Sequence, residues 1–104
     1  MRMNRVMERL EALYALGATR IGGSAEEDAA HDLAIQWMAQ AGLRVDIDSA
    51  GNLFGRRRDP GLWLGSHLDT VPNGGRFDGA LGVVAAIEVA ERTKMPLAVV
   101  AFRD

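Results

Sequence analysis

The sequence predicts an α/β fold in which a β-hairpin and one parallel βαβ unit share a mixed sheet. Three observations point there. The first forty residues carry apolar side chains at helical spacing. From Leu43 to Asp48 the apolar period changes to two. Two short apolar runs, Leu62–Ser66 and Met95–Phe102, then flank a longer one, Ala80–Arg92, in the order strand, helix, strand.

Each element has its own local signal. Met3, Met7, Leu10, Leu13 and Tyr14 recur at helical spacing, and Gly17 stands where a helix would stop. Ser24 with Glu27 three residues later is a capping box, in which hydroxyl and carboxylate satisfy backbone donors at the start of a helix. Leu33, Ala34, Trp37, Met38 and Ala41 line one face of that helix and Gly42 ends it; His31, off the stripe, is expected in solvent. Leu43, Val45 and Ile47 alternate with Arg44, Asp46 and Asp48, as in a half-buried strand. "SAGN" is turn chemistry and "LFGR" the returning strand of a hairpin. Arg56, Arg57 and Arg58 with Asp59-Pro60 read as a charged, solvated edge that discourages strand-to-strand association. "LWLGS" is apolar enough for a strand covered on both faces. Ala80–Arg92 is a helix by length, with Glu88, Glu91 and Arg92 as its narrow polar side. Pro96 begins the last strand, where a missing N–H is tolerated. The βαβ unit is expected to be parallel and right-handed.

Bulk properties exclude several function classes. At 104 residues the chain is one small domain or part of a larger one. A net charge of -2, and an arginine run without interleaved aromatics, argue against nucleic acid and membrane surfaces as partners. Arg2, Arg5 and Arg9 alternate with Glu8 and Glu11, so no leader segment is expected. The longest apolar run, Leu81–Ile87, falls far short of the roughly 20 residues that span a bilayer. The absence of cysteine suits a reducing compartment, and a cytoplasmic location is expected.

The stretch from His67 to Gly79 is long for a loop in a compact domain, and such loops usually serve function. It follows the carboxyl end of a strand, where open α/β sheets bind ligands. His67 can offer a neutral ring nitrogen to zinc, manganese or cobalt, while its other nitrogen needs an acceptor that fixes the tautomer. Asp69 is placed to be that acceptor. Asp78 can bring a second ligand back to the same point, with Gly74, Gly75 and Gly79 allowing the close approach. Each residue also has a structural alternative. Asp78 precedes an apolar helix and would serve as an N-cap contributing about 1 kcal/mol. Asp69-Thr70 would make an Asx turn, and His67 would be a hydrogen-bonded structural residue.

"GSHLDTVPNGGRFDGALGVVAAIEV" closely resembles the first metal-binding segment of the zinc-aminoacylase and carboxypeptidase superfamily of co-catalytic metallohydrolases. Its "NGGRFDGALG" form resembles the hydantoinase/carbamoylase branch, with its allantoate amidohydrolases, N-carbamoyl-L-amino-acid hydrolases and β-ureidopropionases. "VDIDSAGNLFGRR" is similar to that branch's hairpin and "GGSAEEDAAHDLAIQWMAQAGL" to its second helix, so the likeness runs through nearly the whole chain. The resemblance implies a partial three-layer αβα sandwich, residues 1–104 being the N-terminal part of a truncated catalytic domain without the lid and dimerisation domain.

It further implies two divalent ions (Zn, Mn, Co or Ni), with His67 a ligand to one and Asp78 bridging both. Asp69 is implied as the catalytic-site residue that orients His67. The implied reaction is hydrolysis of linear amide or ureido C–N bonds in a small N-carbamoyl or ureido substrate, through a metal-activated water. The resemblance also implies a homodimer for the full-length protein. The family's Glu-Glu pair, one base and one ligand, follows the strand matching Leu97–Phe102, whereas this sequence ends at Arg103-Asp104. Two further His ligands come later still. The chain alone is therefore expected to bind metal weakly or not at all and to be inactive, unless a second chain completes the site. The open partner edge of the Leu97–Phe102 strand is expected to bring marginal stability or self-association. Alternative readings are a dipeptidase or N-acyl-amino-acid deacylase of the same superfamily, or a non-catalytic interaction module retaining the fold.

Overall fold

In the computed structural model residues 3–103 are described; Arg2, Asp104 and the Met3 side chain of the predicted apolar stripe lie outside the described residues. The elements run α1 (Met3–Ala15), α2 (Ala25–Gln40), β1 (Arg44–Ile47), β2 (Leu53–Arg56), β3 (Leu62–His67), α3 (Ala80–Arg92) and β4 (Leu97–Phe102). The class is the predicted one: an α/β fold whose mixed sheet joins a hairpin to one parallel βαβ unit.

In α1 the buried stripe is Val6, Leu10 and Leu13, while Met7 faces outward and is 41% exposed. A stripe through residues 6, 10 and 13 turns position 7 away from the core, which the spacing of the methionines had concealed. The helix packs on α3 and carries Arg5 across to it, where Nε and Nη2 donate to the two Glu88 carboxylate oxygens at 2.8 Å each. Glu88, expected on the narrow polar side of α3, is buried there in a bidentate pair. Ser24 caps α2 by accepting from Glu27 N–H at 3.2 Å, and Glu27 reaches back to Gly23 N–H at 2.8 Å, one residue earlier than a standard capping box.

His31 corrects another expectation. It is 4% exposed, not solvated. Glu27 lies one turn before it, and Arg103, arriving from beyond β4, donates to Glu27 Oε1 at 2.9 Å. Burial holds the His31 imidazole below its ordinary pKa, and the Arg103 charge pushes the same way.

The sheet order is β1-β2-β4-β3. β2 pairs antiparallel with β1 on one side and β4 on the other, and β3 pairs parallel with β4. β4 is therefore an interior strand, buried from Leu97 to Ala101. The open edges are β1 and β3. This overturns the expected open edge at β4: the hairpin strand β2 occupies it. It also overturns two-faced cover for β3, where Leu62 and Trp63 are exposed. Ile47, on edge strand β1, is exposed as well.

Alternation decides which face is covered. Leu53, Leu64, Val99 and Ala101 join one core with α2 and α3. Phe54, Trp63 and Phe102 lie on the opposite face, the first two rings meeting edge to face at 6.4 Å. Among the described residues two layers of the implied sandwich are present, helices on one side of the sheet only. No helix of the described residues is long and apolar enough to cross a membrane.

Candidate functional site

β3 ends at His67 and α3 begins at Ala80, so the intervening loop hangs on the carboxyl end of an edge strand. Its first turn brings the Asp69 backbone oxygen to 2.8 Å from His67 Nδ1, with the Asp69 carboxylate Oδ1 at 3.3 Å. A carbonyl only accepts, so Nδ1 carries the proton and donates it. In the neutral ring Nε2 then holds a lone pair. That nitrogen stands 3.9 Å from Asp78 Oδ1. The acceptor is thus the Asp69 main chain; the carboxylate lies near the ring without a hydrogen bond to it.

Asp78 does not cap α3. The N-cap is Gly79, with φ 69° and no side-chain cap bond. Glycine is needed there for a second reason: a Cβ would stand 2.5 Å from His67 Nδ1 and Cε1. A Cβ on Gly74 would meet Thr70 Cβ at 2.7 Å and Asp78 Oδ2 at 3.1 Å. Gly75, at φ 81°, supplies the reversal expected of the glycine pair. The three glycines let the loop fold back until Asp78 faces the imidazole.

Residues that sequence patterning missed support the turn from behind. Arg20 is fully buried, with Nε donating to Leu68 O at 2.9 Å. Burial lowers its pKa, while the nearby Asp78 and Asp69 charges oppose that shift. Only its place one residue after Thr19, between two glycine-bounded helices, marked Arg20 in the sequence. A cavity of about 280 Å³ lined by His67, Asp69, Phe102 and Arg103 opens beside the ring. A larger concavity of about 730 Å³ lies at the other end of the sheet among Arg44, Arg56, Arg57 and Arg58. Its arginines bind Asp46 and the carbonyls of Ala90 and Met95, and it offers no imidazole. The smaller one is the cavity that His67 and Asp69 line.

Do the residues fit a divalent ion? In the neutral ring no proton lies between the Nε2 lone pair and the Asp78 carboxylate oxygen, an arrangement that a divalent cation can bridge. Metal–nitrogen and metal–oxygen bonds of about 2.0–2.2 Å can span two donors 3.9 Å apart. Asp69 Oδ1 is buried and lacks a hydrogen-bond partner among the described residues. The donor set is incomplete, however. Among the described residues no group of three or more His, Cys, Asp or Glu is gathered for a metal, and a catalytic zinc usually takes three protein ligands. His67 and Asp78 fit one corner of a site.

No family model matches the chain. Individual relatives do. It is 46% identical over 100 residues to an N-carbamoyl-L-amino acid amidohydrolase of Geobacillus stearothermophilus, covering 85% of this chain and 24% of that protein. It is 40% identical over 87 residues to allantoate deiminase 1 of Glycine max, covering 70% of this chain and 18% of that one. Among solved structures, a hydantoinase/carbamoylase family amidase from Burkholderia ambifaria superposes with a TM-score of 0.87 at 35% identity, over 96% of this chain and 29% of that chain. The chain spans about a quarter of the length of such relatives. By sequence and by fold, it belongs to the hydantoinase/carbamoylase family.

Proposed function

We propose that this segment supplies the first two donors of a divalent-metal site in an amidohydrolase acting on linear amide or ureido C–N bonds, with N-carbamoyl amino acids or allantoate as the substrate class. The observation that carries the reading is the Nδ1–H bond of His67 to Asp69, which in the neutral ring places the Nε2 lone pair on the side of Asp78. His67 contributes a neutral nitrogen donor. Asp78, free of capping duty, contributes a carboxylate with oxygens to share. Asp69 holds the ring in one tautomer and orientation, a supporting role that metal-bound histidines commonly require.

When bound, a zinc, manganese, cobalt or nickel ion would polarise the substrate carbonyl and acidify a water. The chain's own part is to hold donors and exclude the wrong histidine tautomer. The remaining ligands and a general base come from outside the described residues, from the rest of a longer protein or from a second chain. Two donors hold a metal weakly.

Isothermal titration of zinc into the 104-residue chain is therefore expected to give at most weak binding, abolished by His67→Ala and by Asp78→Ala. Assays of the same chain on N-carbamoyl amino acids and allantoate are expected to give no turnover. Turnover that Asp78→Ala abolishes would show a complete catalytic site and overturn the inactivity of the segment. Zinc binding indifferent to both substitutions would overturn the assignment of the donors.

A further inference from the structure

We infer that Arg20 is a positioning residue that clamps the two peptide planes on either side of Asp69 and thereby sets which ring nitrogen of His67 faces Asp78. In its link to the metal, though not in its geometry, this rests on the reading just proposed. The clamp has two halves. The Arg20 side chain donates from Nε to Leu68 O at 2.9 Å, which fixes the plane between Leu68 and Asp69. The Arg20 main chain accepts from Thr70 N–H at 2.7 Å, which fixes the plane between Asp69 and Thr70.

The second plane carries the oxygen that His67 meets, and because both planes meet at the Asp69 Cα, the side-chain bond to the first limits how the second can turn. A trans peptide unit is planar, with its N–H and C=O pointing opposite ways. Anchoring the Thr70 N–H on Arg20 therefore aims the Asp69 oxygen away from Arg20, where it meets His67 Nδ1. Arg20 N–H returns a bond to Thr70 Oγ1 at 2.8 Å, so the register between the two segments cannot slip. Asn73 N–H on Thr19 Oγ1 at 2.8 Å extends the seam.

A lysine would not reproduce this. Nη1 of Arg20 also donates to Gly17 O at 2.9 Å and Leu13 O at 3.3 Å, so one planar fork ties the end of α1 to the turn after β3. No carboxylate pairs with it in a hydrogen bond among the described residues; three carbonyls take its protons instead. A buried guanidinium that donates to main-chain oxygens from Nε and Nη1, while Nη2 has no hydrogen-bond partner among the described residues, is costly to place, and packing alone would be met by an apolar side chain.

The test is the tautomer of His67 in the 104-residue chain labelled with ¹⁵N-histidine, read by long-range ¹H–¹⁵N correlation at about pH 8.5, well above the ordinary imidazole pKa of about 6.5. The wild type is expected to show protonated Nδ1 and bare Nε2. Arg20→Lys keeps the charge and removes the fork. It is expected to leave the amide spectrum folded, to give mixed His67 tautomers, and to lower zinc affinity by about tenfold or more. His31, which Arg20 does not touch, serves as the internal control.

Unchanged His67 resonances in a folded Arg20→Lys variant would overturn the inference. Should that variant unfold, the wild type decides. Slow exchange of Arg20 Nε–H with a through-bond coupling to the Leu68 carbonyl supports the clamp, and exchange at the solvent rate refutes it. If the tautomer shifts as expected while wild-type zinc binding ignores Asp78→Ala, the metal reading fails and the clamp stands.

Discussion

His31 shows how a single residue can carry more than its neighbours in sequence reveal. It sits at 4% exposure with Nε2 3.9 Å from Glu27 Oε2, both atoms without hydrogen-bond partners among the described residues. Burial first, and the Arg103 charge second, lower its pKa in the folded chain. The sign of the linkage follows. An imidazole that resists protonation when folded takes up protons more readily when unfolded, so stability rises with pH across the gap. It is complete above the unfolded value of about 6.5. It falls as pH drops below that and levels off once the lower folded value is passed. Urea midpoints measured from neutral to mildly acidic pH are expected to drop for the wild type. His31→Asn is expected to flatten the curve in that window; an equal drop in both chains would refute the assignment. None of this was legible in the apolar stripe of α2, because part of the shift comes from the charge of Arg103, which follows β4 and pairs with Glu27 and Asp28 of α2. The chain-local signals at the same helix, Ser24 and Glu27, were legible because both ends of each bond lie within one turn.

Among the elements, the loop between β3 and α3 is the one whose glycines divide cleanly by physics. Gly75 and Gly79 both have positive φ, at 81° and 69°, but only Gly79 is packed against anything. Gly75→Ala meets open space and is expected to cost only the left-handed penalty, about 1–2 kcal/mol. Gly79→Ala adds a clash with the His67 ring and is expected to cost more, read as a larger fall in the urea midpoint, with loss of whatever zinc affinity the chain has. Equal costs would show that the ring does not lean on that glycine. The sequence carried this loop's existence, its glycines and its three polar residues. It did not carry the exposure of β3. "LWLGS" reads as a two-faced interior strand, yet strand order is decided by which partner β4 accepts, and β2 takes the inner place. Nor did helical spacing reveal that Glu88 would be buried, since its partner Arg5 lies on the far helix.

For the whole molecule, the fold brings His67 Nε2 to 3.9 Å from Asp78 Oδ1. Three helices on one side of a four-stranded sheet place His67 at the end of an edge strand, and the loop returns Asp78 to it. The family relationship, spanning about a quarter of the relatives' length, agrees with a site to which other sequence contributes. What the sequence could not convey was the supporting geometry: Arg20 and Thr70 hold the turn through main-chain contacts that no spacing rule records. The central claim is that imidazole 67 and carboxylate 78 converge on one cation, and manganese titration of the ¹⁵N-labelled chain tests it most directly. Paramagnetic broadening is predicted to centre on the amides of His67, Asp69, Asp78 and Gly79, and to vanish in both His67→Ala and Asp78→Ala. Broadening centred on surface carboxylates elsewhere, or unchanged in the two variants, would contradict it.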